Sequence, residues 1–160
     1  LFCIQQSCLF GRDNTKMQGE KRMNQRVLIE KNYLRIPIRK DAVEKNVWLY
    51  QELTAVLQFQ AGLFVDYGSG APDFYAELPV ERWKGSVLTF VHEEDRPVPF
   101  LQSDELLPNT EPFQPWIHFA PKSGWMNDVC GACWYQGSYH LYFQHNPFGI
   151  QWNNMSWGMR

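Results

Sequence analysis

The sequence predicts an all-β protein, a small N-terminal β-sandwich followed by a second strand-rich segment. Three observations predict it. Short apolar runs of alternating pattern recur with turn residues roughly every 8–12 positions, as sandwiches require. No stretch keeps a helical period over a convincing length. Aromatic residues crowd the C-terminal part, 12 of them between Phe113 and Trp157 out of 25 in 160 residues, which suits short strands and also platforms for sugar rings.

Taken in order, residues 1–28 show no sustained period and are expected to be a disordered leader. Tyr33-Leu34-Arg35-Ile36-Pro37-Ile38-Arg39 alternates apolar and charged positions as a half-buried strand does, with Pro37 favouring a sheet edge. Val47–Tyr50, Ala55–Phe59, Leu63–Tyr67, Phe74–Leu78 and Ser86–Val91 are read as further strands. Gly68-Ser69-Gly70-Ala71-Pro72 and Lys84-Gly85 supply turns. From Glu93 to Pro115 the charged residues and five prolines mark a stiff connector. The sandwich is therefore assigned to 29–108 and a second unit to 109–160. Within the latter, Ala132–Tyr135 is expected to pair with Tyr139–His145 across Gln136-Gly137-Ser138, and Ser156-Trp157-Gly158 to begin a third strand.

Charge and cysteine content exclude several classes. The net charge is −2, but residues 1–40 hold nine Lys/Arg against three Asp/Glu, and the remainder six against fourteen. No aromatic-interleaved basic surface follows the basic leader, so a nucleic-acid partner is not expected. Leu1–Phe10 is too short and too interrupted for a membrane span, and no other stretch is long and apolar enough. A chain that opens on Leu1 and closes on Arg160 is expected to be cut at both ends, with Met17 and Met23 as plausible starts. Without a recognisable cleavage site, the four cysteines favour reduced thiols and a cytoplasmic over a secreted location.

The chemistry concentrates in one succession of motifs: His118-Phe119-Ala120-Pro121, Gly124-Trp125-Met126-Asn127-Asp128, Tyr139-His140-Leu141-Tyr142-Phe143-Gln144-His145-Asn146-Pro147-Phe148-Gly149, and Asn154-Met155-Ser156-Trp157-Gly158. Over about 45 residues this succession resembles the opening of the glycoside hydrolase family 32 catalytic domain, the fructan and sucrose β-fructosidases. More loosely, the preceding part resembles the small N-terminal β-domain of some bacterial levanase-like members. The resemblance implies that residues 109–160 are the first blade of a five-bladed β-propeller whose other blades are missing. It implies a retaining hydrolase of levan, inulin or sucrose, with no cofactor. Retention needs two carboxyl groups about 5 Å apart, one nucleophilic and one a proton donor. By resemblance Asp128 is the nucleophile, with the Asn127 amide expected to stabilise its ionised form. Asn127, Gln144 and Trp152 fall on positions that line the site for the terminal fructosyl ring. Amides suit its hydroxyls, and an indole suits its C–H face.

The chain departs from the family pattern at three places. Val129-Cys130-Gly131 stands where Pro-Asn-Gly is usual, Trp157-Gly158-Met159-Arg160 where Trp-Gly-His-Ala is usual, and Asn153-Asn154-Met155-Ser156 where Gly-Asn-Met-His is usual. The family's transition-state Asp and acid/base Glu belong to later motifs, so this chain alone is expected to show little turnover. A non-catalytic or decayed carbohydrate-binding remnant is the alternative. Two other classes are weighed and set aside. Cys130-Gly131-Ala132-Cys133 lacks the α/β setting of a redox motif and is half of a zinc site. His140 and His145, five apart on a strand, fall on opposite faces and do not share a metal.

Overall fold

The computed structural model describes residues 22–65, 68, 70–107 and 119–159. Among them the protein is all-β, with a single 3₁₀ turn at Glu81–Trp83. There are ten strands: β1 (Met23–Leu28), β2 (Tyr33–Ile38), β3 (Lys45–Gln51), β4 (Thr54–Ala61), β5 (Phe74–Pro79), β6 (Val87–His92), β7 (Leu101–Ser103), β8 (Trp125–Tyr135), β9 (Ser138–Asn146) and β10 (Ser156–Met159). They form three antiparallel sheets, ordered β1-β6-β3-β4, β5-β2-β7 and β10-β9-β8.

The first two sheets close on one core, because side chains alternate across each strand and only one face of each sheet is apolar. Leu34, Ile36 and Ile38 from β2 and Ala76 and Leu78 from β5 meet Val47 and Leu49 from β3, Phe59 and Ala61 from β4, and Leu88 and Phe90 from β6. Trp83 closes one end, its indole N–H donating to Gln51 at 3.0 Å.

Several expectations are corrected. Residues 23–28, assigned to the leader, form β1 and pair along their whole length with β6. Their pattern is the weak alternation Met-Asn-Gln-Arg-Val-Leu, and Gln25 is clamped by both donor and acceptor bonds to Val98, each 2.8 Å. Residues 1–21 lie outside the described residues. Leu63–Val65 makes one isolated bridge, Ile38 to Leu63, and no strand; Asp66 and Tyr67 lie outside the described residues. The expected connector contains β7, fixed by Gln102, whose side chain accepts from Glu30 N (2.8 Å) and Lys31 N (3.3 Å) and donates to Leu28 O (2.9 Å). Pro37 does not lie on an edge strand, since β2 is central in its sheet. β7, however, pairs only as far as Arg35, and beyond it Pro37 meets Phe64, whose N donates to Pro37 O at 3.0 Å outside any strand.

The third sheet is a meander. Its first turn has two residues rather than three: Tyr135 pairs with Ser138, and Gln136 and Gly137 both take positive φ, 48° and 83°. That is the type I′ geometry, whose twist matches the strands it joins. The meander meets the sandwich through Phe148, stacked on Phe59 with ring centroids 3.9 Å apart. Lys122 Nζ adds a bond to Leu107 O at 3.2 Å.

Candidate functional site

The β8–β9 ladder is interrupted twice. Met126 pairs with His145 and Val129 with Phe143, leaving Asn127 and Asp128 together opposite Gln144. Val129 then pairs with Phe143 and Gly131 with Tyr142, leaving Cys130 as a second extra residue. Each interruption is a β-bulge, which bends the strand and re-aims the side chains at that point. The first bulge sets an amide and a carboxylate against one amide of the neighbouring strand. On the other flank Gln144 pairs directly with Trp157 of β10, and paired residues share a face. Tyr142, two residues along and so on that same face, brings its ring to 6.2 Å from the Trp157 indole.

Asn127 and Asp128 are exposed and Gln144 is half-buried. The Asp128 carboxylate makes no hydrogen bond or ion pair with the described residues; the bond expected from Asn127 is absent. What Asp128 does accept comes through its backbone carbonyl, from Cys130 Sγ at 3.6 Å, a weak thiol contact. Trp152 lies in the loop joining β9 to β10 and leaves 67% of its surface exposed.

Asn146, fully buried at the end of β9, governs that loop. Its Oδ1 accepts from Phe148 N (3.0 Å) and from Asn154 Nδ2 (3.0 Å), and its Nδ2 donates to Gln151 O (2.9 Å). Sequence reasoning assigned no role to Asn146 or Trp157. Asn146 could have been found from its place before Pro147 at the end of an apolar strand, where a buried amide must satisfy itself locally.

The opposite face of the meander carries Phe143, His145 and Gly158. With Phe119, Pro121 and Pro147 they line a cleft that includes none of Asn127, Asp128, Gln144 and Trp152. Burial lowers the His145 pKa against the opposing bond to Ser123. That bond runs from Nε2 to the Ser123 carbonyl at 3.0 Å, so Nε2 is the protonated nitrogen. His140 donates from Nε2 to Tyr135 O at 3.2 Å. Among the described residues no group of three His, Cys, Asp or Glu side chains is gathered as for a metal. Cys130 and Cys133 are free, exposed thiols on β8, a strand, without the helix N-terminus that redox chemistry uses. His118 lies outside the described residues, as do Cys3 and Cys8.

An exposed carboxylate and an exposed amide, opposite Gln144 in the strand register, offer donors and acceptors that match hydroxyl groups. Comparison with known proteins adds a similarity over the C-terminal quarter of the chain. Residues 118–160 match the Glycosyl hydrolases family 32 N-terminal domain. The extracellular exo-inulinase inuE of Aspergillus niger is 50% identical over 48 residues, 30% of this chain and 9% of that protein. The levanase of Bacillus subtilis (strain 168) is 48% identical over 48 residues, 30% and 7%. The sucrose-6-phosphate hydrolase of Escherichia coli is 46% identical over 46 residues, 29% and 10%. The chain thus spans about a tenth or less of the length of these relatives. A solved structure of a glycoside hydrolase family 32 protein from Bifidobacterium adolescentis aligns at TM-score 0.34 and 22% identity, over 85% of this chain and 25% of that one, a likeness too slight to argue from. Residues 118–160 of this chain are thus similar to the N-terminal domain of glycosyl hydrolases family 32.

Proposed function

We propose that residues 109–160 open the propeller of a retaining β-fructosidase, acting on a fructan such as levan or inulin, or on sucrose. Asp128 is its nucleophile, and Asn127, Gln144 and Trp152 hold the terminal fructosyl ring. The observation that carries the reading is the bulge setting Asn127 and Asp128 against Gln144 inside the family-matched segment. The relatives are named for inulin, levan and sucrose-6-phosphate, so a shared segment is best suited to the unit those substrates share, a fructosyl group.

In the first step the Asp128 carboxylate attacks the anomeric carbon, and the glycosidic bond breaks with its electrons on the leaving oxygen. A carboxylic acid donates a proton to that oxygen; its conjugate base then takes a proton from the water that releases fructose. By resemblance this second carboxyl, like the transition-state Asp, lies in motifs later than residue 160. Residues 118–160 supply the attacking group and the ring contacts.

Asp128→Asn in the full-length protein tests this. The side chain is exposed and makes no bond with the described residues, so the variant folds. Fructose release from inulin, levan and sucrose is expected to fall by at least about 10³-fold. Turnover equal to the parent's overturns the assignment. The remnant reading rests on the same unpartnered carboxylate, which nothing described orients. A parent protein that binds fructo-oligosaccharides calorimetrically without releasing fructose would establish it instead.

A further inference from the structure

The loop that carries Trp152 is built against the sandwich, and we propose that Glu44 and Gln60 of the sandwich are positioning residues for that indole. The inference rests on the reading above, in which Trp152 meets the fructosyl ring.

β4 is an edge strand, so the outward N–H and C=O of Gln60 have no neighbouring strand. Asn154 takes that place with its side chain. Gln60 N donates to Asn154 Oδ1 at 2.7 Å, and Asn154 Nδ2 donates to Gln60 O at 2.8 Å. The paired bonds hold Asn154 in a left-handed conformation, φ 44°, which asparagine tolerates better than most residues. One residue earlier, Asn153 Nδ2 donates to Glu44 Oε2 at 2.7 Å and to Gln60 Oε1 at 3.0 Å. Gln60 Nε2 in turn donates to Asn46 Oδ1 of the neighbouring strand β3 at 3.2 Å, fixing the Gln60 amide. On the other side of Trp152, the Gln151 carbonyl is held by buried Asn146.

Trp152 therefore stands between two anchored neighbours while most of its own surface meets solvent. Burial does not explain this arrangement, because the anchored residue contributes little to the core. Holding a backbone still on both sides of an exposed indole restricts where that ring can point, which is what ring stacking on a ligand requires. A residue so held acts through binding, so its loss raises KM more than it lowers kcat.

The test uses the full-length protein with Glu44→Ala, Glu44→Gln, Asn154→Ala and Trp152→Ala. Trp152→Ala and Asn154→Ala are each expected to raise KM for the fructan about tenfold with kcat within about twofold. The double variant should be no worse than Trp152→Ala alone, because both remove one contact. Glu44→Ala should raise KM, whereas Glu44→Gln, which keeps an acceptor oxygen for Asn153, should restore it. Incorporation of 5-fluorotryptophan supplies a readout independent of activity. The resonance lost in Trp152→Phe should broaden or shift in Asn154→Ala and Glu44→Ala, with those of Trp48 and Trp83 in the sandwich unchanged. Additive KM effects, or a Trp152 resonance indifferent to Glu44 and Asn154, overturn the inference. If the parent releases no fructose, the reading of the site fails, and the fluorine signal still decides whether the sandwich positions the loop.

Discussion

Residues 23–103 and residues 125–159 share a two-residue rhythm of side chains, yet bury them very differently. Every member of the buried core cluster except Phe148 lies between Ile29 and Val98. In the meander, apart from Phe143 and Phe148, large aromatic side chains stand outward: Trp134, Tyr135, Tyr139 and Trp152 are each at least 60% exposed. Alternation alone does not reveal which face of a sheet a protein will cover. In the sandwich the covering face belongs to a second sheet of the same unit. In the meander the aromatics remain on view.

Truncation on each side should widen this contrast most. Phe90 is fully buried and packs on Phe100 with centroids 4.4 Å apart, so Phe90→Ala should cost about 3–5 kcal/mol in urea unfolding. Trp134 touches Tyr139 edge-on at 4.8 Å but leaves most of its surface in water, so Trp134→Ala should cost under about 1 kcal/mol. Equal costs would mean that the meander's aromatics are structural after all.

The sequence was legible where alternation and β-branched or aromatic residues coincide, as in β2, β3, β4 and β6. β1 and β7 were not, because neither is held by apolar pattern. Gln25 and Gln102 fix them with hydrogen bonds to residues more than 70 positions away. In the site, the motif singled out Asn127, Asp128, Gln144 and Trp152, but the bulges could not be read. An extra residue leaves no mark on a run such as Met-Asn-Asp-Val-Cys until a partner strand fixes the register. Nor could the anchoring of Trp152, since Glu44 and Gln60 lie in the other region and carry no motif.

Gly158 offers a smaller test on the meander's covered face. A Cβ there would meet the Phe143 ring carbons, and that ring already packs edge-on against Phe119 at 4.8 Å. Gly158→Ala should cost about 1–3 kcal/mol. Adding Phe143→Leu, which removes the obstructing ring, should recover part of it. Without any such recovery, the clash is not the cause, and the meander has no tightly packed face.

The smallest effect expected is acid sensitivity, with one histidine in each region. His92, fully buried in β6, accepts from Glu94 N through Nδ1 at 3.3 Å. Protonation would put a hydrogen on that acceptor and a charge in the interior. Burial lowers its pKa most; nearby Glu94 opposes the shift and Lys45 adds to it. His145 is lowered as well, again chiefly by burial. A lowered histidine pKa means that the unfolded chain takes up the proton first. The stabilisation is thus present above the ordinary value of 6.5 and is lost as pH falls from there through the folded pKa. Proton NMR should show both imidazoles titrating below 6.5, and urea midpoints should fall between pH 7.5 and pH 5. His92→Gln should flatten that fall in part and leave the His145 share. A midpoint at or above 6.5 for His92 would show that Glu94 outweighs burial and would reverse the sign for the sandwich alone.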